Sequence, residues 1–199
     1  MTRELIKKEI ERRIDEISPF ETVDIIDNEL IDGMLNECAE DTLMKLPLHL
    51  LPVKSYSPAG IAIEDIFIRF NLPTDFLRIV KLKLASWNRH VSVLLSQESP
   101  KYKIQFDNQF LRATTNRPLA FLVNNSSIKE VHCFGKGVNN NPNVFYYCEK
   151  VLPEDFDNSI LEALFYNTAF KVLVALEKAE QAKVALTLFD NFIKRNTTI

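Results

Sequence analysis

A chain of 199 residues, 46% of them hydrophobic, is long enough for one substantial core or for one domain carrying an inserted subdomain. A net charge of −3, with no helix-turn-helix or zinc-finger spacing, argues against a dedicated DNA-binding surface. No apolar run reaches the roughly 18 residues of a membrane span. The charged start Met1-Thr2-Arg3-Glu4-Leu5 lacks a signal-peptide apolar region, and three scattered cysteines (Cys38, Cys133, Cys148) fit free thiols in a cytosolic setting.

The charge is unevenly divided. Residues 1–50 hold 6 Lys/Arg against 13 Asp/Glu, a balance of −7. Residues 51–153 hold 13 against 7, or +6, and residues 154–199 hold 5 against 7, or −2. Such a split either orients subunits head to tail or reflects solvated faces. Eight of the nine prolines lie between Pro47 and Pro153, so the flanks are free to be helical and the middle is not.

In the first flank, Leu5, Ile6, Ile10, Ile14 and Ile17 recur at helical spacing. Ser18-Pro19-Phe20-Glu21 reads as a capping box with proline at the first helical position, restarting a short helix. Asp27 caps a third segment whose apolar residues are Leu30, Ile31, Met34, Leu35, Cys38, Leu43 and Met44, and Pro47 ends it. Residues 1–50 are thus the N-terminal helical part of a bundle.

Residues 51–153 read as a β-rich insertion, with strands near 61–71, 76–84, 102–106, 118–123, 130–134 and 144–151. Loops at 55–60, 96–101 and 135–143 separate several of them, and Gly137–Asn143 reads as a hairpin tip. After the turn Leu72-Pro73-Thr74-Asp75, the strand at 76–84 alternates Val80, Leu82 and Leu84 with Lys81 and Lys83, the mark of one buried face. Lys81 and Lys83 on the wet face are candidate docking residues. Trp87 and Arg89 follow; an aromatic beside a cation can mark single-strand binding, but a lone tryptophan is more often a core or interface anchor.

The last flank, 154–199, has neither Gly nor Pro. Ser159 with Glu162 forms a capping-box pattern, or Asp157 caps slightly earlier. Leu161, Phe165, Thr168, Val172, Ala175, Ala179, Ala182, Leu186, Phe189 and Ile193 then step by threes and fours, a seam of period near 3.5. A second row (Leu164, Ala169, Leu173, Leu176, Val184, Leu188, Phe192) widens the apolar surface. The pattern predicts one helix of roughly 35 residues, about 50 Å long at 1.5 Å per residue. It is too apolar to keep one face wet, so partners are expected on two sides, from its own chain or from neighbours. Ala179, Phe189, Phe192 and Ile193 are the candidate contact residues. The fold class expected is α+β: a helical bundle with an inserted antiparallel β-rich subdomain.

Catalytic chemistry finds little support. Four glycines cannot supply a phosphate-cradling loop, and Gly135-Lys136-Gly137 lacks the Ser/Thr and following helix of a P-loop. His49, His90 and His132 are scattered. His132 and Cys133 are strand neighbours that point to opposite faces, which predicts a buried thiol and a surface imidazole rather than a Cys–His or metal site. The same alternation separates the carboxylates of Glu64 and Asp65. No catalytic residue, cofactor or metal is expected.

The order of elements resembles the head-to-tail adaptor (connector, or ring) proteins of short-tailed bacteriophages. The residues that carry it are Leu72-Pro-Thr-Asp-Phe-Leu-Arg78, the Trp87 that follows, Arg117-Pro-Leu-Ala120, and Asn158-Ser-Ile-Leu-Glu-Ala-Leu164 opening the last helix. The resemblance implies a virion protein of the head–tail junction, made in the host bacterial cytoplasm. About twelve copies would form a ring through head-to-tail contacts. Its implied partners are itself, the portal protein and further tail-ring or tail-tube proteins, with DNA only passing through the lumen and no membrane. The +6 middle segment departs from a non-gripping conduit and is expected to face neighbouring subunits or the next ring. Two other readings remain open at this point: another tail-ring or tail-completion interaction protein of the same virion, at a different level of the tail, and a small cytosolic enzyme using Cys133 or Cys148 with a histidine.

Overall fold

Isoleucines at positions 6, 10 and 14 put one apolar stripe on the first helix, and all three are fully buried. A computed structural model describes residues 1–18, 28–125, 128–138 and 140–197. Pro19, Phe20 and Glu21 of the expected capping box, and the expected cap Asp27, lie outside the described residues. The chain divides into two units: Met1–Pro52 with Lys150–Ile199, and Val53–Glu149.

The first unit is helical. It contains α1 (Arg3–Ile17), α2 (Asn28–Lys45), α4 (Asn158–Ala175), α5 (Ala179–Thr197) and short 3-10 turns at Leu48–Leu50 and Pro153–Asp155. Helix α4 is its centre: ten of its residues are buried, on every face, and α1, α2 and α5 pack around it. Asp157 caps it, the carboxylate accepting from the Ser159 N–H at 2.8 Å. Arg3 ties α1 to α2 and to the 3-10 turn through Asp32 (2.5 Å) and Glu154 (3.0 Å).

The single long C-terminal helix expected from the seam is instead two helices. The chain turns at Leu176-Glu177-Lys178, where Lys178 N–H donates to Leu173 O and Glu177 N–H to Val174 O. That is a Schellman end, with Glu177 at φ 59° where glycine usually stands. The absent glycine left the break without its usual sequence signal. The seam's period is real, but its second half folds back: Ala182, Ala185 and Phe189 of α5 are buried in the unit's core. Ala179 is exposed in the first turn of α5, outside any small-residue seam.

The second unit contains two sheets. A three-stranded antiparallel sheet has the order β1 (Val53–Ser55), β8 (Pro142–Glu149), β4 (Phe76–Leu84). A five-stranded sheet has the order β2 (Ala62–Ile63), β3 (Phe67–Asn71), β7 (Ile128–Phe134), β6 (Leu119–Asn125), β5 (Leu95–Ser96), antiparallel except for the parallel β5–β6 pair. Residues from both sheets meet in one core that includes Ile68, Phe70, Leu82, Trp87, Val131 and Phe145, so the unit is a sandwich.

Three expectations are corrected here. Residues 102–106 are helical, within α3 (Pro100–Asp107); Pro100 stands in its first turn, and Tyr102 and Phe106, four apart, face the same aromatic cluster. Their alternation with lysines imitated a strand. The stretch around Gly137–Asn143 is not a hairpin tip, because it links β7 of one sheet to β8 of the other; Asn139 within it is not among the described residues. Gly135, at φ 90°, begins that link where an added Cβ would lie 2.6 Å from Thr114 O, so only glycine fits. In β4 the pairing shifts between Ile79 and Lys81, which resets the alternation: Ile79, Leu82 and Leu84 are buried, and Val80 is only half-buried.

Candidate functional site

The outer face of the five-stranded sheet carries a connected polar cluster. Strand β7 presents Val131 and Cys133 to the sandwich core, and Glu130, His132 and Phe134 to the other side. There α3 lays Tyr102 over the strand, with its hydroxyl 2.8 Å from His132 Nδ1. His132 Nε2 lies 3.4 Å from Glu130, and Arg69 from β3 reaches Glu130 at 3.4 Å and Glu64 at 3.1 Å. The Phe67 ring stacks on the imidazole with centroids 4.5 Å apart. A neutral imidazole with its proton on Nε2 fits both neighbours, donating to Glu130 and accepting from Tyr102. Burial holds the His132 pKa below its ordinary value, with the Glu130 hydrogen bond pulling the other way. Burial also raises the Tyr102 phenol. Both ring nitrogens are engaged, so the cluster fastens α3 to the sheet and leaves no open base.

His132 is therefore buried and not the surface imidazole that alternation alone predicts, because α3 covers that face. Cys133 lies on the opposite face, as strand geometry requires. All three cysteines are buried and free. Burial pushes the Cys148 thiol up to about 11 against the pull of Arg78, and raises Cys133 and Cys38 as well. Thiols held protonated in this way are poor nucleophiles. Among the described residues, no group of three or more His, Cys, Asp or Glu side chains is placed to hold a metal, and no helix is long and apolar enough to cross a membrane.

The surface residues expected from sequence are distributed unevenly. Lys81 is exposed and Lys83 half-buried on β4, opposite Tyr146 and Val144 of β8, so Lys81 and the exposed Tyr146 share one patch. Arg89 is exposed in the turn after β4. Trp87, by contrast, is 1% exposed and belongs to the sandwich core. On α5, Phe189 is also 1% exposed, with the Lys45 ammonium 5.4 Å from its ring centroid. Phe192 and Ile193 are half-buried. Trp87 and Phe189 thus serve the cores of their own units and are not open to a partner.

A second feature escaped the sequence reading. Between α3 and the loop 108–117 runs a groove of about 540 Å³, lined by Lys101, Ile104, Phe110, Leu111, Arg112 and Arg117 among others. Gln105, buried beneath it, accepts the Ala113 N–H at 2.7 Å, and Arg112 donates to Gln105 O at 2.9 Å. These bonds pin the loop to the helix. Phe110 is 88% exposed and Leu111 61% exposed. The available signal was an apolar pair, Phe110-Leu111, in a polar stretch with no periodicity to bury it.

Scanned against models of known protein families and against curated proteins, the chain matches none. The site must therefore be read from its own chemistry: fastened polar clusters, protonated thiols, and exposed apolar and cationic patches.

Proposed function

We propose that this protein is a structural, non-catalytic virion component, the adaptor ring that bridges portal and tail and forms part of the DNA conduit. The observation that carries the reading is the chain's architecture. Both flanks build one helical unit, and a β-rich unit is inserted between them, in the order that the resemblance in Leu72–Arg78, Arg117–Ala120 and Asn158–Leu164 implies. The chemistry supports the same direction, since the thiols are buried and protonated while large apolar side chains such as Phe110, Leu152 and Val174 stand exposed.

On this reading the helical unit and the sandwich offer separate docking faces. Lys81 with Tyr146, and Arg89, are the polar contacts proposed for a neighbouring ring. Phe192 and Ile193, half-buried on α5, are retained as contact residues of the helical unit. Mixing the purified chain with the portal protein of the same virion and viewing the mixture by negative-stain microscopy tests the reading. Rings seated on portals are the expected result; portals that stay bare at every ratio overturn it.

A further inference from the structure

The groove beside α3 has a chemical counterpart at the α4–α5 corner. The groove presents Lys101, Arg112 and Arg117, and no carboxylate lines it. Lys101 and Arg117 make no side-chain hydrogen bond or ion pair among the described residues, and Arg112 donates only to the carbonyls of Gln105 and Phe106. Phe110 and Leu111, both exposed, line the same groove. It is a cationic slot with an apolar wall.

The α4–α5 corner has the complementary features. Val174 is 53% exposed and Leu176 36% exposed, and Glu177 projects at the turn with no ion pair or side-chain hydrogen bond among the described residues. Its left-handed backbone, closed by the Lys178-to-Leu173 and Glu177-to-Val174 bonds, holds a rigid knuckle. A non-glycine residue at this φ is strained, and the corner keeps a carboxylate there where glycine would relax it.

We infer that the α4–α5 corner of one copy docks in the α3 groove of a second copy, with Val174 and Leu176 against Phe110 and Leu111 and Glu177 between Arg117 and Lys101. Corner and groove are different surfaces, so the contact is head-to-tail, and repetition gives a ring when the rotation closes. The acid excess of the flanks and the base excess of the middle favour the same polarity at longer range. This inference rests on the adaptor reading only in naming the ring; the contact itself is measurable on the chain alone.

The test uses the full-length protein in sedimentation velocity at low ionic strength, with Trp87 fluorescence and circular dichroism confirming that each variant is folded. Wild type is expected to self-associate reversibly. Glu177→Lys and Arg117→Glu are each expected to weaken association at least about tenfold, because each places like charges across the contact. An equimolar mixture of the two restores association in part, since every contact between unlike variants again pairs opposite charges at positions 177 and 117, while Lys101 still opposes the introduced lysine in half of them. A wild type monomeric at millimolar concentration, folded single variants that associate like wild type, or a mixture that stays dissociated each overturns the contact. On portals, rings of either variant that form as well as wild-type rings overturn this contact and leave the adaptor reading standing. Bare portals with a wild type that still self-associates through these residues overturn the adaptor reading instead.

Discussion

Both units have apolar centres, but they place their buried polar groups differently. In the sandwich, the space between the sheets is filled by aromatic and aliphatic groups, Phe70, Trp87, Phe145 and Tyr147 among them, and the polar cluster of Glu130 and His132 is kept on the outer face under α3. In the helical unit, the central helix carries polar groups in its interior. Asn167 Nδ2 donates to Cys38 O at 3.2 Å, Thr42 Oγ1 at 2.9 Å and Asp41 at 3.1 Å, while Thr42 donates to Cys38 O at 2.7 Å. Both polar sets fasten one helix to a central element, α2 to α4 and α3 to β7. In the first case the polar groups fix which turn of α2 meets which turn of α4; apolar packing alone tolerates sliding along the helix.

The largest expected effect breaks the apolar side of this comparison. Phe70→Ala removes a buried ring that packs edge-on to Phe145 and is expected to cost about 3–5 kcal/mol. Urea unfolding followed by the fluorescence of Trp87, the chain's one tryptophan, reports it. A loss under about 1 kcal/mol would place Phe70 outside the core.

Asn167→Ala, on the polar side, should cost about 1–3 kcal/mol, since it removes the two N–H donors that Cys38 O, Thr42 Oγ1 and Asp41 share. Far-ultraviolet circular dichroism, weighted to α4 and the three helices packed around it, should register that loss more strongly than Trp87 fluorescence. Equal loss with both probes would mean that the two units unfold as one.

The His132 cluster predicts a pH slope. Its folded pKa is lowered by burial, so the unfolded chain binds the proton more readily. The stabilisation it provides is complete above the ordinary value of 6.5 and declines as pH falls below it, toward the lowered folded value. The groups facing the ring are Tyr102 from α3, Glu130 from β7, and Phe67 and Arg69 from β3. In His132→Gln the difference in unfolding free energy from wild type should therefore shrink as pH is lowered through this range. A constant difference would contradict the assignment. The smallest expected effect is at the corner: Glu177→Gly relieves the left-handed backbone and should stabilise the helical unit by up to about 1 kcal/mol, read as a rise in thermal midpoint.

Much of the fold was legible because single residues carry strong local physics. Proline placement marked where helices stop, the isoleucine stripe defined α1, and Asp157 supplied a cap before α4. What escaped was decided by tertiary contact. The α4–α5 reversal uses Glu177 in place of the glycine that normally announces it. Tyr102 and Phe106 form a helix because the aromatic face they share packs on Phe134, and their short alternating pattern fits either period. The β4 bulge moved Val80 off the core and brought Ile79 in.

The candidate surface was only half legible. Exposure of Lys81 followed from alternation, but burial of Trp87 and Phe189 depended on strands and helices distant in sequence. The Phe110-Leu111 groove depended on a loop pinned by Gln105, which no local pattern signals.

A cryo-electron map of the virion proposed to contain this protein tests the central claim most directly. The account predicts ring density beneath the portal into which repeated copies of both the helical unit and the sandwich fit, with DNA passing through the open centre. Density for this chain lying away from the head–tail junction, or no ring into which the two units fit, would contradict it.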